Sequence, residues 1–195
     1  MKHLSLILLL FLLGSNTAFG ADLQKGFDAH ERGDYATALK EWTPLAEQGY
    51  AAAQYNLAQM YRTGQGVPQD YKTAVKWYTP AAEQGIALAQ ANLAQMYRKG
   101  QGVPQDDKTS VKWYTLAAEQ GHALAQYNLG VMYGNGKGVI QDNVYAHMWW
   151  DIAASSGDES ASENRGRVAE IMTPADISAA QKLTRECVAK NYKGC

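Results

Sequence analysis

Residues 51–86, 87–122 and 123–158 align end to end without a gap, each 36 residues long. The first two read AAAQYNLAQMYRTGQGVPQDYKTAVKWYTPAAEQGI and ALAQANLAQMYRKGQGVPQDDKTSVKWYTLAAEQGH, and the third begins ALAQYNLGVMYGNGKGVIQD. A chain that repeats itself at a period of this size stacks supersecondary units, and a single unit is too small to bury its own apolar face. With 46% apolar, 10% aromatic and 19% charged residues, the chain carries enough apolar surface to build a continuous core, and disorder is excluded.

Within each unit the apolar residues fall at helical spacing. Ala53, Leu57, Met60 and Tyr61 share one face, a glycine-rich break follows, and Ala74, Tyr78, Ala81 and Ala82 share the next face. Each unit is therefore a helix hairpin. Asp34, Asp70, Asp106 and Asp142 recur at one phase, where a side-chain oxygen can cap the free amides that open the second helix. Gly49, Gly85, Gly121 and Gly157 recur where that helix must stop.

Leu57, Ala58 and Tyr61 on the first helix and Ala74, Tyr78 and Ala81 on the second occupy the places of the tetratricopeptide pattern. The set returns as Leu93, Ala94, Tyr97, Ser110, Tyr114 and Ala117, then as Leu129, Gly130, Tyr133, Ala146, Trp150 and Ala153. With a long G-x-G-V loop before the capping aspartate, these units resemble the SLR (Sel-one-like repeat) branch of the tetratricopeptide superfamily. The resemblance implies an all-α fold, a right-handed superhelical solenoid of antiparallel helix pairs.

Residues 21–50 resemble an opening unit with a short loop at Arg32 and Gly33, in which Gly26, Ala29, Ala38, Trp42 and Leu45 keep the spacing. Residues 159–195 depart from it and supply capping helices. Thr173, Pro174 and Asp176 form a capping box, with Ala179, Leu183 and Cys187 predicted as the packed face. The expected organisation is a single domain over 21–195. Pro44 and Pro80 fall late in second helices, where proline removes a hydrogen bond and a kink is expected.

Met1, Lys2 and His3 precede an apolar stretch from Leu4 to Leu13, and Ala18, Phe19 and Gly20 offer small residues around a cut. Residues 1–20 read as a secretory signal peptide cleaved before Ala21, which predicts a periplasmic or secreted protein. Ten apolar residues make a poor bilayer span, so an uncleaved anchor is disfavoured. Cys187 and Cys195 are the only cysteines; in an exported chain they pair as a small staple, and two free thiols near the end are the alternative.

Lysine and arginine total 18 against 19 acidic residues, a net charge of -1, so neither a nucleic-acid partner nor a polybasic membrane surface is expected. No cofactor is expected: the glycine pairs at 64/66, 100/102 and 136/138 lack a preceding strand and the phosphate-loop signature. His30, His122 and His147 sit at different phases, so no metal site is expected. Trp77, Trp113 and Trp149 share one phase and predict interhelix packing, with Trp150 beside them. Asn56, Asn92 and Asn128, also in phase, predict a structural hydrogen bond to the neighbouring loop.

The resemblance implies function too. Stacked units present their first helices on a concave inner wall suited to a protein or peptide partner. With Leu57 as the buried anchor, it directs Tyr55, Gln59 and Arg62 inward, then Gln95 and Arg98, then Tyr127. Arg62 and Arg98, one period apart, would face a carboxylate-bearing ligand from adjacent units, unless these side chains are simply solvated surface. Such a chain is expected to be a scaffold and not an enzyme. The alternative class, a cell-wall-directed hydrolase or penicillin-binding protein, comes from cysteine-rich SLR relatives described as β-lactamase-like. Against it, the chain lacks S-x-x-K, S-D-N and K-T-G and lacks a cysteine pair in each unit.

Overall fold

The computed structural model describes residues 21–195, and all their regular structure is helical. The opening hairpin pairs α1 (Leu23–Glu31) with α2 (Tyr35–Glu47). Three longer hairpins follow: α3 (Ala51–Thr63) with α4 (Tyr71–Glu83), α5 (Ala87–Lys99) with α6 (Asp107–Ala118), and α7 (Ala123–Asn135) with α8 (Asn143–Ser155). Then come α9 (Glu159–Ala169) and α10 (Pro174–Ala189). Each helix packs on the next in sequence as far as α9, and α10 turns back onto α8. This is the expected all-α solenoid. The signal peptide read at 1–20 lies outside the described residues, and none of the described helices is long and apolar enough to cross a membrane.

The second helices start where the aspartates stand. Asp34, Asp70, Asp106 and Asp142 each accept from a main-chain amide in the first turn. Asp70 and Asp106 also accept the hydroxyls of Thr73 and Thr109 at 2.6 Å. These threonine bonds hold both carboxyl groups below the ordinary carboxylate range. The loops fold back onto the first helices: the amides of Asp70, Asp106 and Asp142 donate to the carbonyls of Tyr61, Tyr97 and Tyr133.

The core runs along the row because each unit completes its neighbour. Leu57, Leu93 and Leu129 are fully buried, as are Met60, Met96 and Met132. Size is balanced between the two helices of a hairpin. Tyr78 and Tyr114 lie in the same clusters as Ala58 and Ala94, while Trp42 and Trp150 take the same place over glycine. A Cβ on Gly26 would meet the Trp42 indole at 2.3 Å, and one on Gly130 would meet that of Trp150 at 2.5 Å. Wherever the large residue grows from tyrosine to tryptophan, its opposite shrinks from alanine to glycine, as close packing demands. Trp77, Trp113 and Trp149 pack between helices, in line with their common phase.

Buried glutamines, not the phased asparagines, join consecutive units. Gln54, Gln90 and Gln126 donate through Nε2 to the carbonyls of Ala46, Ala82 and Ala118 at 3.0 to 3.2 Å, spanning from each first helix to the end of the preceding second helix. Gln84 and Gln120 then donate to Gln54 and Gln90. Asn128 instead bonds the Leu124 carbonyl of its own helix, so the predicted asparagine-to-loop bond is not what repeats.

Helices α2 and α4 continue past Pro44 and Pro80 to Glu47 and Glu83. Each proline sits in the last turn, and the bond it removes is the one to the carbonyl of Lys40 or Lys76 four residues back. At the C-terminal end Thr173 and Asp176 form the capping box. The packed face of α10 is the expected one at Leu183 and Cys187 but not at its first residue: Ala180 is buried there and Ala179 is exposed. The correct spacing is the i, i+3, i+7 set that starts at Ala180. Cys187 and Cys195 form a disulfide. The hairpin it closes lays Tyr192 against the core near Gly121, and the Gly194 amide donates to Glu119.

Candidate interaction site

The first helices α3, α5 and α7 present their half-buried polar residues on one wall. On α3, Gln59 is the centre of a closed network. Its Nε2 donates to the Tyr55 hydroxyl at 3.0 Å. Its Oε1 accepts from Arg62 Nε at 2.7 Å and from the Tyr78 hydroxyl. Burial raises the pKa of both phenols, so Tyr55 and Tyr78 remain neutral hydroxyls.

One unit later the same three residues recur as Gln95, Arg98 and Tyr114, but the network is open. Arg98 Nε and the Tyr114 hydroxyl are closed off from solvent, no carboxamide oxygen joins them, and the Arg98 guanidinium faces the hydroxyl directly. Ala91 stands where Tyr55 stands one period earlier, so the 87–122 unit has no counterpart of the tyrosine hydroxyl to which Gln59 donates. The third unit abandons the arrangement, with Val131, Gly134 and Trp150 at the three places.

The volume that Ala91 leaves is a pocket of about 200 Å³ lined by Tyr55, Asn92, Gln95, Tyr114, His122 and Leu124, among others. It draws on three consecutive units. Leu88 and Leu124, one period apart, form its rim and are 45% and 53% exposed. No lining residue carries a formal charge at neutral pH: burial lowers the His122 pKa, and its Nδ1 accepts the Ala125 amide at 3.2 Å. Burial likewise raises the Tyr114 pKa, and the Arg98 guanidinium lies beside its hydroxyl.

Of the residues predicted from sequence, Tyr55, Gln59 and Gln95 meet in this pocket. Arg98 lies beside it against Tyr114, whereas Arg62 is turned into its own unit by Gln59 and Tyr78. Tyr127 lies apart: its hydroxyl accepts from Asn164 of α9 at 3.3 Å, and its ring packs with Trp150. Sequence reasoning missed Leu88, Ala91, Tyr114, His122 and Leu124. The signal available was the alanine at 91, the only repeat unit without tyrosine at that phase.

Row, caps and shared core define the class: a solenoid of stacked helix hairpins that offers one wall as a surface. Comparison with known proteins gives the family. The Sel1 repeat model matches residues 51–86, 87–122 and 123–158, more than half of the chain. This chain belongs to the Sel1 repeat family, whose repeats form a scaffold typical of protein–protein interaction and generally without enzymatic activity. It is similar to the crystal structure of a Sel1 repeat protein from Oxalobacter formigenes, with 38% identity and a TM-score of 0.61 over 67% of this chain and 98% of that one. It is also similar to a protective antigen present in uropathogenic Escherichia coli strains that displays an SLR fold, with 29% identity and a TM-score of 0.53. That match covers 87% of this chain and 45% of the antigen. Comparison with the curated proteins finds no match.

Proposed function

We propose that the protein is an exported, non-enzymatic scaffold, periplasmic or secreted, that binds a protein or peptide segment along the concave wall built by α3, α5 and α7. The observation that carries this reading is the pocket assembled from three consecutive units, with two exposed leucines one period apart at its rim. Exposed leucines beside a polar pocket suit an extended segment that places an apolar residue on the rim and a polar one inside. The apolar start at Leu4–Leu13 and small residues before Ala21 support export, and the likeness to a protective antigen is in keeping with it.

Selection of random dodecapeptides against the full chain tests the wall. The selected peptides are expected to lose at least tenfold in affinity when Leu88→Asp and Leu124→Asp are combined, with helical content unchanged. Peptides that bind the double variant as well as the parent would refute the assignment. N-terminal sequencing of the protein recovered from cell fractions tests export: the reading predicts Ala21 as the first residue in the periplasm or medium, and is contradicted by Met1 on a cytoplasmic protein.

A further inference from the structure

We infer that the pocket of the 87–122 unit takes a tyrosine side chain of the bound segment, its ring filling the place that Ala91 leaves empty and its hydroxyl accepting from Gln95 Nε2. This deepens the peptide-binding reading and rests on it. The preceding unit supplies the template. There the Tyr55 ring packs beside Tyr78 with centroids 6.0 Å apart, and its hydroxyl accepts from Gln59 Nε2 at 3.0 Å. The 87–122 unit keeps the matching carboxamide as Gln95 and the matching aromatic neighbour as Tyr114, both lining the pocket, and lacks only the ring between them. Tyrosine returns at this phase as Tyr127, which packs with Trp150 in its own unit, so the wall carries a phenol, a vacancy and a phenol.

Size, charge and polarity narrow the occupant. At about 200 Å³ the pocket is smaller than the ~300–1,000 Å³ of sites for drug-sized ligands, so it fits one side chain of a larger partner. A cavity of ~150 Å³ already holds benzene, so a single ring with its hydroxyl is a matching size. The lining contains no aspartate, glutamate, lysine or arginine, and a charged side chain would shed its water there without a counter-ion. An aliphatic side chain would cover the Gln95 and Asn92 amides without offering them an acceptor. A phenol meets both conditions, with an apolar ring for Ala91 and Tyr114 and a neutral oxygen for Gln95. Leu88 and Leu124, exposed at the rim, favour an apolar residue next to the tyrosine.

The test uses the full chain with carbon-13 in its alanine methyl groups and follows the Ala91 methyl resonance, which a ring seated on it shifts, against three probes. These are N-acetyl-tyrosine amide, N-acetyl-phenylalanine amide and N-acetyl-leucine amide. The expected result is a saturable shift with the tyrosine probe, about fivefold tighter or more than with phenylalanine, because only the phenol gives Gln95 an acceptor. Gln95→Leu should erase that preference, and Ala91→Tyr, which rebuilds the ring within the chain, should weaken the selected dodecapeptides at least tenfold at unchanged helical content. No saturable shift with tyrosine, phenylalanine or leucine binding as tightly, or a tyrosine preference that survives Gln95→Leu would each overturn the assignment. Should Ala91→Tyr fail to fold, the probe titrations and Gln95→Leu decide alone. If the tyrosine probe leaves Ala91 unmoved while dodecapeptide binding still depends on Leu88 and Leu124, this pocket assignment fails and the wall reading stands. If dodecapeptides ignore Leu88 and Leu124, the wall reading fails and takes this inference with it.

Discussion

Replacing Gly102 with alanine places a methyl group where the preceding unit already stands. A Cβ on Gly102 would meet the Tyr71 carbonyl oxygen at 2.3 Å, its carbon at 2.4 Å and the Lys72 nitrogen at 2.8 Å. All three are main-chain atoms at the start of α4, so no side chain can swing aside. Gly138 repeats the contact against Asp107 and Lys108 with the same distances. Gly85 is the control. Its φ of +91° is as unfavourable to alanine as the +75° of Gly102, but nothing lies within 4 Å of its would-be Cβ. The left-handed backbone costs each substitution about 1–2 kcal/mol. Overpacking against fixed atoms adds about 1–3 kcal/mol at Gly102 alone. Gly85→Ala should therefore lose about 1–2 kcal/mol, and Gly102→Ala about 2–5 kcal/mol. Urea unfolding followed by far-ultraviolet circular dichroism measures both, provided the m-values agree so that the same amount of structure is unfolding. A Gly102→Ala variant no less stable than Gly85→Ala would refute the claim that the loop carrying Gly102 is seated on the main chain of the unit before it.

Two further outcomes follow from the packing and the titratable groups. Gly130→Ala should destabilise by about 1–3 kcal/mol through its clash with the Trp150 indole, and adding Trp150→Tyr should restore most of that loss, because alanine opposite tyrosine is the native pair in the two preceding units; purely additive losses in thermal melts would contradict the size balance. Stability should also fall on acidification: burial lowers the pKa values of His122 and His147, and threonine contacts lower those of Asp34, Asp70 and Asp106. All five bind fewer protons folded than unfolded, so their contribution is complete above about pH 6.5, declines first through the histidines, and declines again below about pH 4 through the aspartates. Melting temperatures that rise between pH 7 and pH 4 would contradict it.

The hairpins, their caps and the buried leucines were legible because they depend on local rules: a 3.6-residue period, an acceptor ahead of a helix, a glycine where the helix must stop. On α10 the residue taken for the first of the packed face was Ala179 where Ala180 is buried, because the two are equally small and apolar and only packing against α8 decides between them. The glutamine ladder was hidden for a different reason. Gln54, Gln90 and Gln126 look like surface residues in one unit and become buried donors only when the preceding unit supplies a carbonyl. The pocket shows the same dependence. Gln59 and Gln95 are identical in type and phase and both line the pocket, yet only Gln59 also bonds a tyrosine hydroxyl on its own helix, because Tyr55 stands where the next unit has Ala91. Phase alone picked out Tyr55, Gln59 and Gln95, which line the pocket, together with Arg62 and Tyr127, which do not; the differences between units separate the two groups.

Amide hydrogen exchange measured with and without a selected dodecapeptide addresses the functional claim most directly. The account predicts new protection in α3, α5 and the start of α7, centred on the segment from Leu88 to Gln95. Protection confined to α4, α6 and α8, with α5 unchanged, would place the partner on the opposite face and contradict it.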